Sequence, residues 1–426
     1  MQPLLPTFLF VVFLGASLLL RLWLAGRQIR HVSAHRIAVP AAFASTVDLP
    51  AHQRAADYTL AKLRLGSVNM ALGTAVLLGW TLLGGLDALN GLLLEHARPP
   101  LGDLGYQLAL LCAFAAIGGL VELPLDAWGT FMLEQRHGFN RITARLWWAD
   151  LFKSTALAAA VGLPLLALLL WLMGAAGPLW WVWGFGVWVA FNLLALLVYP
   201  GLIAPLFNKF QPLEDGALRA RVEALMARCG FAAKGLFVMD GSRRSAHANA
   251  YFTGLGASKR VVFFDTLLAR LSPSEVEAVL AHELGHFKHR HVLKRVLGMF
   301  ALSLGAFALL GWLSQQVGFY VGLGTTPSMA APNDALALLL FLLVGPVFAF
   351  FVTPLFAGLS RKHEFQADAY ACAQTSAHEL GSALRKLYED NAATLTPDRL
   401  YARFYYSHPP AGERLQAMRA LGAQAA

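Results

Sequence analysis

The sequence predicts a mainly α-helical membrane protein with about seven transmembrane helices and a cytoplasmic α+β domain that carries a small β-sheet. Three observations predict this fold class: the composition, the long apolar stretches and the placement of basic residues. Apolar residues make up 57% of the 426-residue chain and charged residues only 14%, whereas soluble proteins carry about 25% charged residues. So few charges would leave a soluble surface poorly covered, and we therefore expect a lipid bilayer to surround much of the chain.

Seven stretches are long and apolar enough to cross roughly 30 Å of hydrocarbon. The first of them has no Lys or Arg before it and has Arg21, Arg27 and Arg30 around its end, which is the opposite polarity to a cleaved signal peptide. We therefore expect an uncleaved first helix with its N-terminus outside. The predicted spans are 4–24, 67–90, 105–125, 154–174, 179–205, 296–317 and 335–358.

Basic residues lie almost entirely on one side of this predicted topology. The loops expected outside, at 91–104, 175–178 and 318–334, contain Arg98 as their one basic residue. The other Lys and Arg residues lie in or near the loops expected in the cytoplasm, as the positive-inside rule requires. The net charge of +9 is thus explained by topology, and we expect membrane lipid and no nucleic acid as a partner.

The predicted spans divide the chain into four parts. They are an N-terminal membrane region of five helices (1–205), a first cytoplasmic segment (206–295), the sixth and seventh helices (296–358) and a second cytoplasmic segment (359–426). The first cytoplasmic segment has a helical pattern at 217–229 and then β-rich runs at 235–239, 248–253 and 260–265. A further helix is predicted to start at Pro273, with Ser272 as its cap, and to continue into the sixth span.

Residues 282–286 read His-Glu-Leu-Gly-His, a pattern that supplies two metal ligands and a base. Positions i and i+4 of a helix lie about 40° apart in azimuth and about 6 Å apart along the axis. His282 and His286 can therefore bind the same Zn²⁺, and Glu283, at the edge of that face, can act on a water as a general base. Gly285 has no side chain, which predicts room for a substrate backbone beside the site.

Three kinds of zinc site could supply the third ligand. A metzincin-like site fails because the chain has His289 and Val292 where that pattern needs a glycine and a histidine. An intramembrane site fails because polar residues flank the motif and no later span carries an Asp-Gly pair. His289 shares the ligand face but lies about 4.5 Å further along the axis than His286. A glutamate on a second helix is the remaining choice.

Glu364 and Asp368 have the spacing that this choice needs. Glu364 can complete a His₂Glu catalytic zinc site, so one Zn²⁺ per chain is predicted. Asp368, one helical turn later, can accept a hydrogen bond from a ligand histidine and fix its tautomer. The alternative interpretation of Glu364 is a solvated helix glutamate beside Arg361 and Lys362.

Several other strings occur together with these two motifs. They are Glu-Gln-Arg-His-Gly-Phe-Asn at 134–140, Tyr-Pro at 199–200, Pro-Leu-Phe-Asn-Lys-Phe at 205–210, Pro-Leu-Glu-Asp-Gly at 212–216, Ser-Ala-His-Ala-Asn-Ala-Tyr-Phe-Thr-Gly at 245–254 and Ser-His-Pro-Pro at 407–410. In this order, and over nearly the whole chain, they resemble the type 1 CAAX prenyl proteases, which are membrane zinc endopeptidases of the gluzincin type. The resemblance implies that the seven helices enclose a large chamber roofed by a cytoplasmic zincin-like catalytic domain.

The resemblance also implies roles for individual residues. It assigns zinc binding to His282, His286 and Glu364, and the general base to Glu283. It places Asn249, Ala250 and Tyr251 on a substrate-facing edge strand, and His408 where a donor to the transition state is expected. The alternatives are a turn histidine held by two prolines for His408, and plain sheet packing for Tyr251. Two arginines have alternative roles, since Arg361 and Arg414 either pair with carboxylates near the site or face the lipid surface. Four further histidines are expected to be non-catalytic: His247, His289, His291 and His363.

The implied function is hydrolysis of peptide bonds in a peptide or protein substrate, and prenylated CAAX tails are the substrate for which the family is named. Bacteria generally lack such tails, so a bacterial source would favour a housekeeping role on misfolded or membrane-associated peptides. A general quality-control protease without prenyl substrates is the alternative, and a transporter with an incidental motif is a more distant one because no paired repeats with broken helices are present. Arginine exceeds lysine, and alanine and leucine abound, which favours a bacterial inner membrane with a cytoplasmic catalytic domain. In a eukaryote the expected site is the endoplasmic reticulum membrane.

Overall fold

The computed structural model describes residues 2–425 except 215, 232–234 and 254–259. Six helical stretches of the described chain are long and apolar enough to cross a membrane, and a bent pair of helices makes a seventh. This confirms the prediction of about seven spans. The membrane helices are α1 (Leu4–His35), α2 (Leu49–Trp80), α3 (Gly85–His96), α4 (Arg98–Trp128), α5 (Ala144–Ala175), α6 (Trp180–Val198) and, later in the chain, α11 (His291–Leu313) and α13 (Asp334–Ala349).

The second span is not the continuous helix predicted at 67–90. Helix α2 ends at Trp80 and α3 starts at Gly85, with a bend of 47° between them. Gly84 lies in the left-handed region at φ 79°, and a Cβ on Gly85 would lie 2.6 Å from the carbonyl oxygen of Gly79. The two glycines therefore allow a turn that side chains would block.

Two spans are extended by wider helical turns. A π-helical turn at Gly129–Glu134 follows α4, and another at Tyr199–Ile203 joins α6 to the short helix α7 (Ala204–Phe207). The chamber implied by the family resemblance stays a prediction.

The small sheet outside the membrane spans has four strands in the order β1-β2-β4-β3. Strands β2 (Gly235–Met239) and β4 (Arg260–Phe264) are parallel, and the outer strands β1 (Phe210–Pro212) and β3 (Ala250–Thr253) each pair antiparallel to their neighbour. The three strands predicted from the β-rich runs are confirmed, and β1 was not predicted. Strand β3 forms one edge of the sheet.

Helices pack against the sheet or against one another to complete this domain. They are α8 (Ala217–Arg228), α9 (Asp265–Leu268), α10 (Pro273–Lys288), α15 (Ala377–Asp390), α16 (Arg399–Tyr405) and α17 (Ala411–Ala425). Buried side chains of α8, α10, α15 and α17 pack with those of β2 and β4 in one apolar cluster that contains Leu225, Phe263 and Leu280. A short helix, α12 (Val317–Gly322), lies between the sixth and seventh spans.

Helix α10 does not continue into the sixth span, contrary to the prediction. It ends at Lys288, and Arg290 has a left-handed backbone (φ 55°) before α11 starts at His291. The seventh span, in contrast, does continue into a helix of the metal centre. Helix α13 passes through a 3₁₀ turn at Phe350–Val352 into α14 (Thr353–Gln374), so one helical stretch carries both a membrane span and Glu364.

Candidate metal centre

Helix α10 starts where the sequence predicts, because a capping box fixes its first turn. The Ser272 hydroxyl accepts a hydrogen bond from the Glu275 amide, and the Glu275 carboxylate accepts one from the Ser272 amide. Glu275 also accepts hydrogen bonds from Ser382 and Lys386 of α15. The start of the helix that carries the motif is therefore linked to α15 by hydrogen bonds.

Helices α10 and α14 meet at a glycine. A Cβ on Gly285 would lie 2.9 Å from the Cα of Ala367 and 3.1 Å from its carbonyl oxygen. The prediction that Gly285 leaves room for a substrate backbone is therefore wrong, because the backbone of α14 occupies that space. This close approach brings Glu364 to the two histidines.

We expect Gly285→Ala to force the two helices apart, because the clash is with backbone atoms that cannot rotate away. Overpacking of this kind costs about 1–3 kcal/mol, and it also moves Glu364 away from the histidines. Thermal unfolding and metal content of the purified protein would show both effects. Gly412→Ala is the matched control, since a Cβ there meets nothing within 4 Å; equal behaviour of the two variants would refute the close-packing argument.

His282, His286 and Glu364 converge on one point between the helices. The two Nε2 atoms lie 3.3 Å apart, the Nε2 of His282 lies 3.4 Å from Glu364 Oε2, and the Nε2 of His286 lies 3.3 Å from Glu364 Oε1. A tetrahedral ion with bonds of about 2.05 Å places its donor atoms about 3.3 Å apart. The spacing of the three donors fits one divalent metal ion.

Electrostatics at the three donors also fit a cation. Glu364 Oε2 is buried and has no hydrogen-bond partner in the described part of the chain. Burial lowers the pKa of His282, but the carboxylates of Asp368 and Glu364 outweigh it and raise that pKa to about 9. Although burial raises the pKa of Glu364, contacts with His282 and His286 hold it well below its usual range. The site thus attracts positive charge, and a bound metal ion would satisfy the carboxylate oxygen.

Asp368 lies where the sequence predicts, one turn after Glu364 on α14. Its Oδ1 is 2.8 Å from His282 Nδ1. Its two oxygens also accept hydrogen bonds of 2.8 and 2.6 Å from Arg414 of α17. Asp368 and Arg414 are 1% and 6% exposed, so this is a buried, bidentate ion pair. Of the two alternatives for Arg414, the structure shows the pair with a carboxylate.

His408 lies in the segment between α16 and α17, beside the same carboxylate. Its Nε2 is 3.5 Å from Glu364 Oε1, and its side chain is 61% exposed. Arg361, one turn before Glu364 on α14, donates hydrogen bonds to the carbonyl oxygens of Tyr406 at 2.7 Å and Ala402 at 3.2 Å. Arg361 therefore holds the segment that carries His408, instead of pairing with a carboxylate or facing lipid.

Glu283 is partly exposed next to His282 on α10. Among the described residues it has neither a hydrogen-bond partner nor an ion-pair partner. Burial raises the pKa of its carboxyl group above the ordinary value. A carboxylate that is free of partners and more basic than usual is suited to accepting a proton.

The predicted substrate residues lie on the edge strand or at its start. Asn249 is exposed and precedes β3, Ala250 opens the strand opposite Phe263, and Tyr251 faces Val262. The Tyr251 hydroxyl reaches the Met239 sulfur at 3.9 Å, so its ring packs across the sheet. The outer side of β3 has no strand partner among the described residues.

The His-Gly-Phe-Asn string at 137–140 supports the chain that leads into β3. The Phe139 ring stacks on His247 with centroids 4.4 Å apart, and the Phe139 carbonyl accepts a hydrogen bond from the Ala246 amide. Asn391 Oδ1 contacts both His247 Nδ1 (3.1 Å) and the Ala248 amide (3.2 Å). The 137–140 segment and Asn391, which directly follows α15, thus fix the chain that leads into the edge strand.

Comparison with known proteins identifies the family. Residues 28–209 match the family described as CAAX prenyl protease N-terminal, five membrane helices, and residues 212–421 match peptidase family M48. CAAX prenyl protease 1 of Saccharomyces cerevisiae is 38% identical over 330 residues, which cover 73% of this chain and 72% of the yeast protein. The chain belongs to peptidase family M48. This peptidase is therefore an integral, multi-pass membrane metallopeptidase that acts on peptides or proteins.

Further relatives agree with this assignment. The human CAAX prenyl protease 1 homolog is 31% identical over 358 residues, covering 75% of this peptidase and 74% of the human protein. The crystal structure of S. mikatae Ste24p superimposes with a TM-score of 0.89 at 31% identity, covering 97% of this peptidase and 98% of that chain. The predicted fold class is thereby confirmed over almost the full length.

Proposed function

We propose that this peptidase is a zinc endopeptidase in which His282, His286 and Glu364 hold one Zn²⁺ per chain and Glu283 is the general base. The single observation that carries the proposal is the set of donor–donor distances, which lie between 3.3 and 3.4 Å. Two neutral imidazoles and one carboxylate form a common catalytic zinc set that leaves one position open. Bound zinc would lower the pKa of a water to about 7 and polarise the scissile carbonyl.

The protein's own side chains handle the protons. Glu283 accepts the proton of the attacking water and then delivers it to the leaving amine, which its raised pKa favours. Asp368 holds His282 by the Nδ1 atom and so directs Nε2 toward the metal position. His408 would donate a hydrogen bond to the developing oxyanion, an interaction often worth about 3 kcal/mol, and its position 3.5 Å from Glu364 supports this role.

The substrate binds as an additional strand along β3 in this proposal. An edge strand offers unpaired amide and carbonyl groups to an extended peptide, and main-chain hydrogen bonds of this kind suit a peptidase. Asn249, Ala250 and Tyr251 would contact the substrate backbone or its side chains. The one-sided distribution of basic residues supports a cytoplasmic position for this surface.

The names of the relatives support a prenylated CAAX tail as the substrate. We expect the purified peptidase to cleave a farnesylated CAAX peptide with a higher kcat/KM than the same peptide without the farnesyl group. Chelation of zinc should abolish both activities, and added Zn²⁺ should restore them, because the attacking water depends on the metal. Metal analysis should give one zinc per active chain.

The two halves of this experiment can fail separately. Equal cleavage of the two peptides would reject the prenyl substrate and favour a general quality-control protease, while leaving the zinc mechanism intact. Full activity in protein stripped of nearly all its metal would reject the zinc mechanism itself.

A further inference from the structure

His291 lies beside a zinc-ligand candidate because the helix breaks just before it. In an uninterrupted helix, a residue five positions after His286 would point about 140° away from it. The left-handed backbone at Arg290 (φ 55°) redirects the chain, and this conformation is strained for a residue that carries a Cβ atom. As a result His291 Nδ1 lies 3.0 Å from His286 Nδ1, and the His291 side chain is only 1% exposed.

The other nitrogen of His291 determines where the protons are. His291 Nε2 lies 2.9 Å from the side-chain carbonyl oxygen of Gln366, and that oxygen can only accept, so Nε2 carries the proton. A neutral imidazole has one N–H, which leaves His291 Nδ1 as an acceptor for His286 Nδ1–H. His286 then has its Nε2 lone pair free, and this is the atom that faces His282 and Glu364.

Both histidines of the metal centre are therefore oriented from helix α14. Asp368 contacts His282 directly at 2.8 Å, and Gln366 contacts His286 through His291. Helix α14 thus supplies the third donor, Glu364, and the outer contact of each imidazole. A second ligand histidine without such a contact would be free to rotate or to change tautomer.

We propose that Gln366 and His291 form a hydrogen-bonded relay that fixes the tautomer and ring orientation of His286, so that both act as positioning residues for metal binding. The inference rests on the proposed zinc site. It makes the strained backbone at Arg290 a functional feature, because the strain places His291 against the ligand.

The relay is tested by the zinc affinity of the full-length protein in detergent, measured with Zn²⁺ in competition with a chromophoric chelator. His291→Phe keeps an aromatic ring but removes the acceptor, and we expect it to weaken zinc binding about 10- to 100-fold. Gln366→Leu should weaken binding by about tenfold. Gln366→Glu should retain wild-type affinity or exceed it, because a carboxylate accepts the same hydrogen bond more strongly.

His363 provides the matched control for ring packing. Its ring stacks on His291 with centroids 3.9 Å apart at 12°, so His363→Phe removes nitrogen atoms while keeping the stack. We expect its zinc affinity to remain within about threefold of wild type. The double variant His291→Phe, Gln366→Leu should match His291→Phe alone, because Gln366 acts only through His291.

Three results would overturn the relay: equal losses in His291→Phe and His363→Phe, unchanged affinity in His291→Phe, or additive losses in the double variant. Rescue by Gln366→Glu distinguishes a relay from a general loss of structure, since leucine and glutamate differ in the hydrogen bond that they accept. Failure of wild-type protein to bind one zinc would instead overturn the proposed function.

Discussion

Glu283→Gln should abolish peptide hydrolysis while leaving one zinc bound. Glutamine keeps the size and polarity of the side chain but cannot take a proton from the attacking water. Loss of general-base catalysis typically costs about 10²–10⁴ in rate. Glu283 is not one of the three donors, and it has no hydrogen bond or ion pair with other described residues. We therefore expect the zinc site and the fold to be unchanged. Turnover of the farnesylated peptide, together with metal analysis, measures both outcomes.

Glu277→Gln is the control for this variant, because it makes the same chemical change on the same helix. Glu277 lies on α10 and pairs with Arg221 and Arg228 at the surface, away from the three donors. We expect nearly wild-type turnover from it. A Glu283→Gln protein that retained more than about a tenth of wild-type activity would remove Glu283 from the role of base.

Arg414→Gln should strongly destabilise the domain that contains the sheet and the metal centre, and it should weaken zinc binding. The substitution leaves the Asp368 carboxylate, whose side chain is 2% exposed, without its bidentate partner. Breaking a buried ion pair from one side costs about 3–5 kcal/mol, which lowers the melting temperature by on the order of 10 °C for a domain of this size. Because Asp368 also holds His282, zinc affinity should fall together with stability. Thermal unfolding in detergent and chelator competition measure the two effects.

Arg221→Gln removes an arginine from an exposed pair and serves as the comparison. Glu277 keeps Arg228 at 3.3 Å after that change, and exposed pairs contribute only about 0–1 kcal/mol. We expect a small shift in melting temperature and no change in zinc affinity. Equal destabilisation by the two substitutions would mean that the Arg414–Asp368 pair contributes no more to stability than the exposed pair does.

The part of the metal centre that lies on a single helix can be predicted from the sequence. His282 and His286 are four residues apart, so helical geometry alone places them side by side. Glu364 was reached by rejecting the other zinc patterns, and a second helix had to be assumed to bring it in. Gly285 allows that helix to approach closely. The sequence does not show this role, because a missing side chain can make room for a substrate or for a neighbouring helix.

Other features depend on tertiary structure that local patterns do not show. The run Lys-His-Arg-His at 288–291 contains no glycine, proline or asparagine, so nothing in it signals the break at Arg290 that brings His291 to His286. Arg414 meets Asp368 only after α17 has folded back onto α14. Strand β1 has three residues and ends in proline, which is too short to predict by alternation. The glycine pair at 84–85 did carry a signal for the bend in the second span.

The seventh span and α14 form one helical stretch, and this affects which parts of the protein could be active outside a membrane. Leu355, Phe356 and Leu359 are exposed on the same helix that bears Glu364, and Leu355 precedes that carboxylate by only about 13 Å of helix. A soluble fragment would either expose this apolar part of α14 to water or lack Glu364, the third proposed zinc ligand. In the proposed mechanism, the attacking water would therefore be activated within two or three helical turns of side chains that are suited to contact lipid.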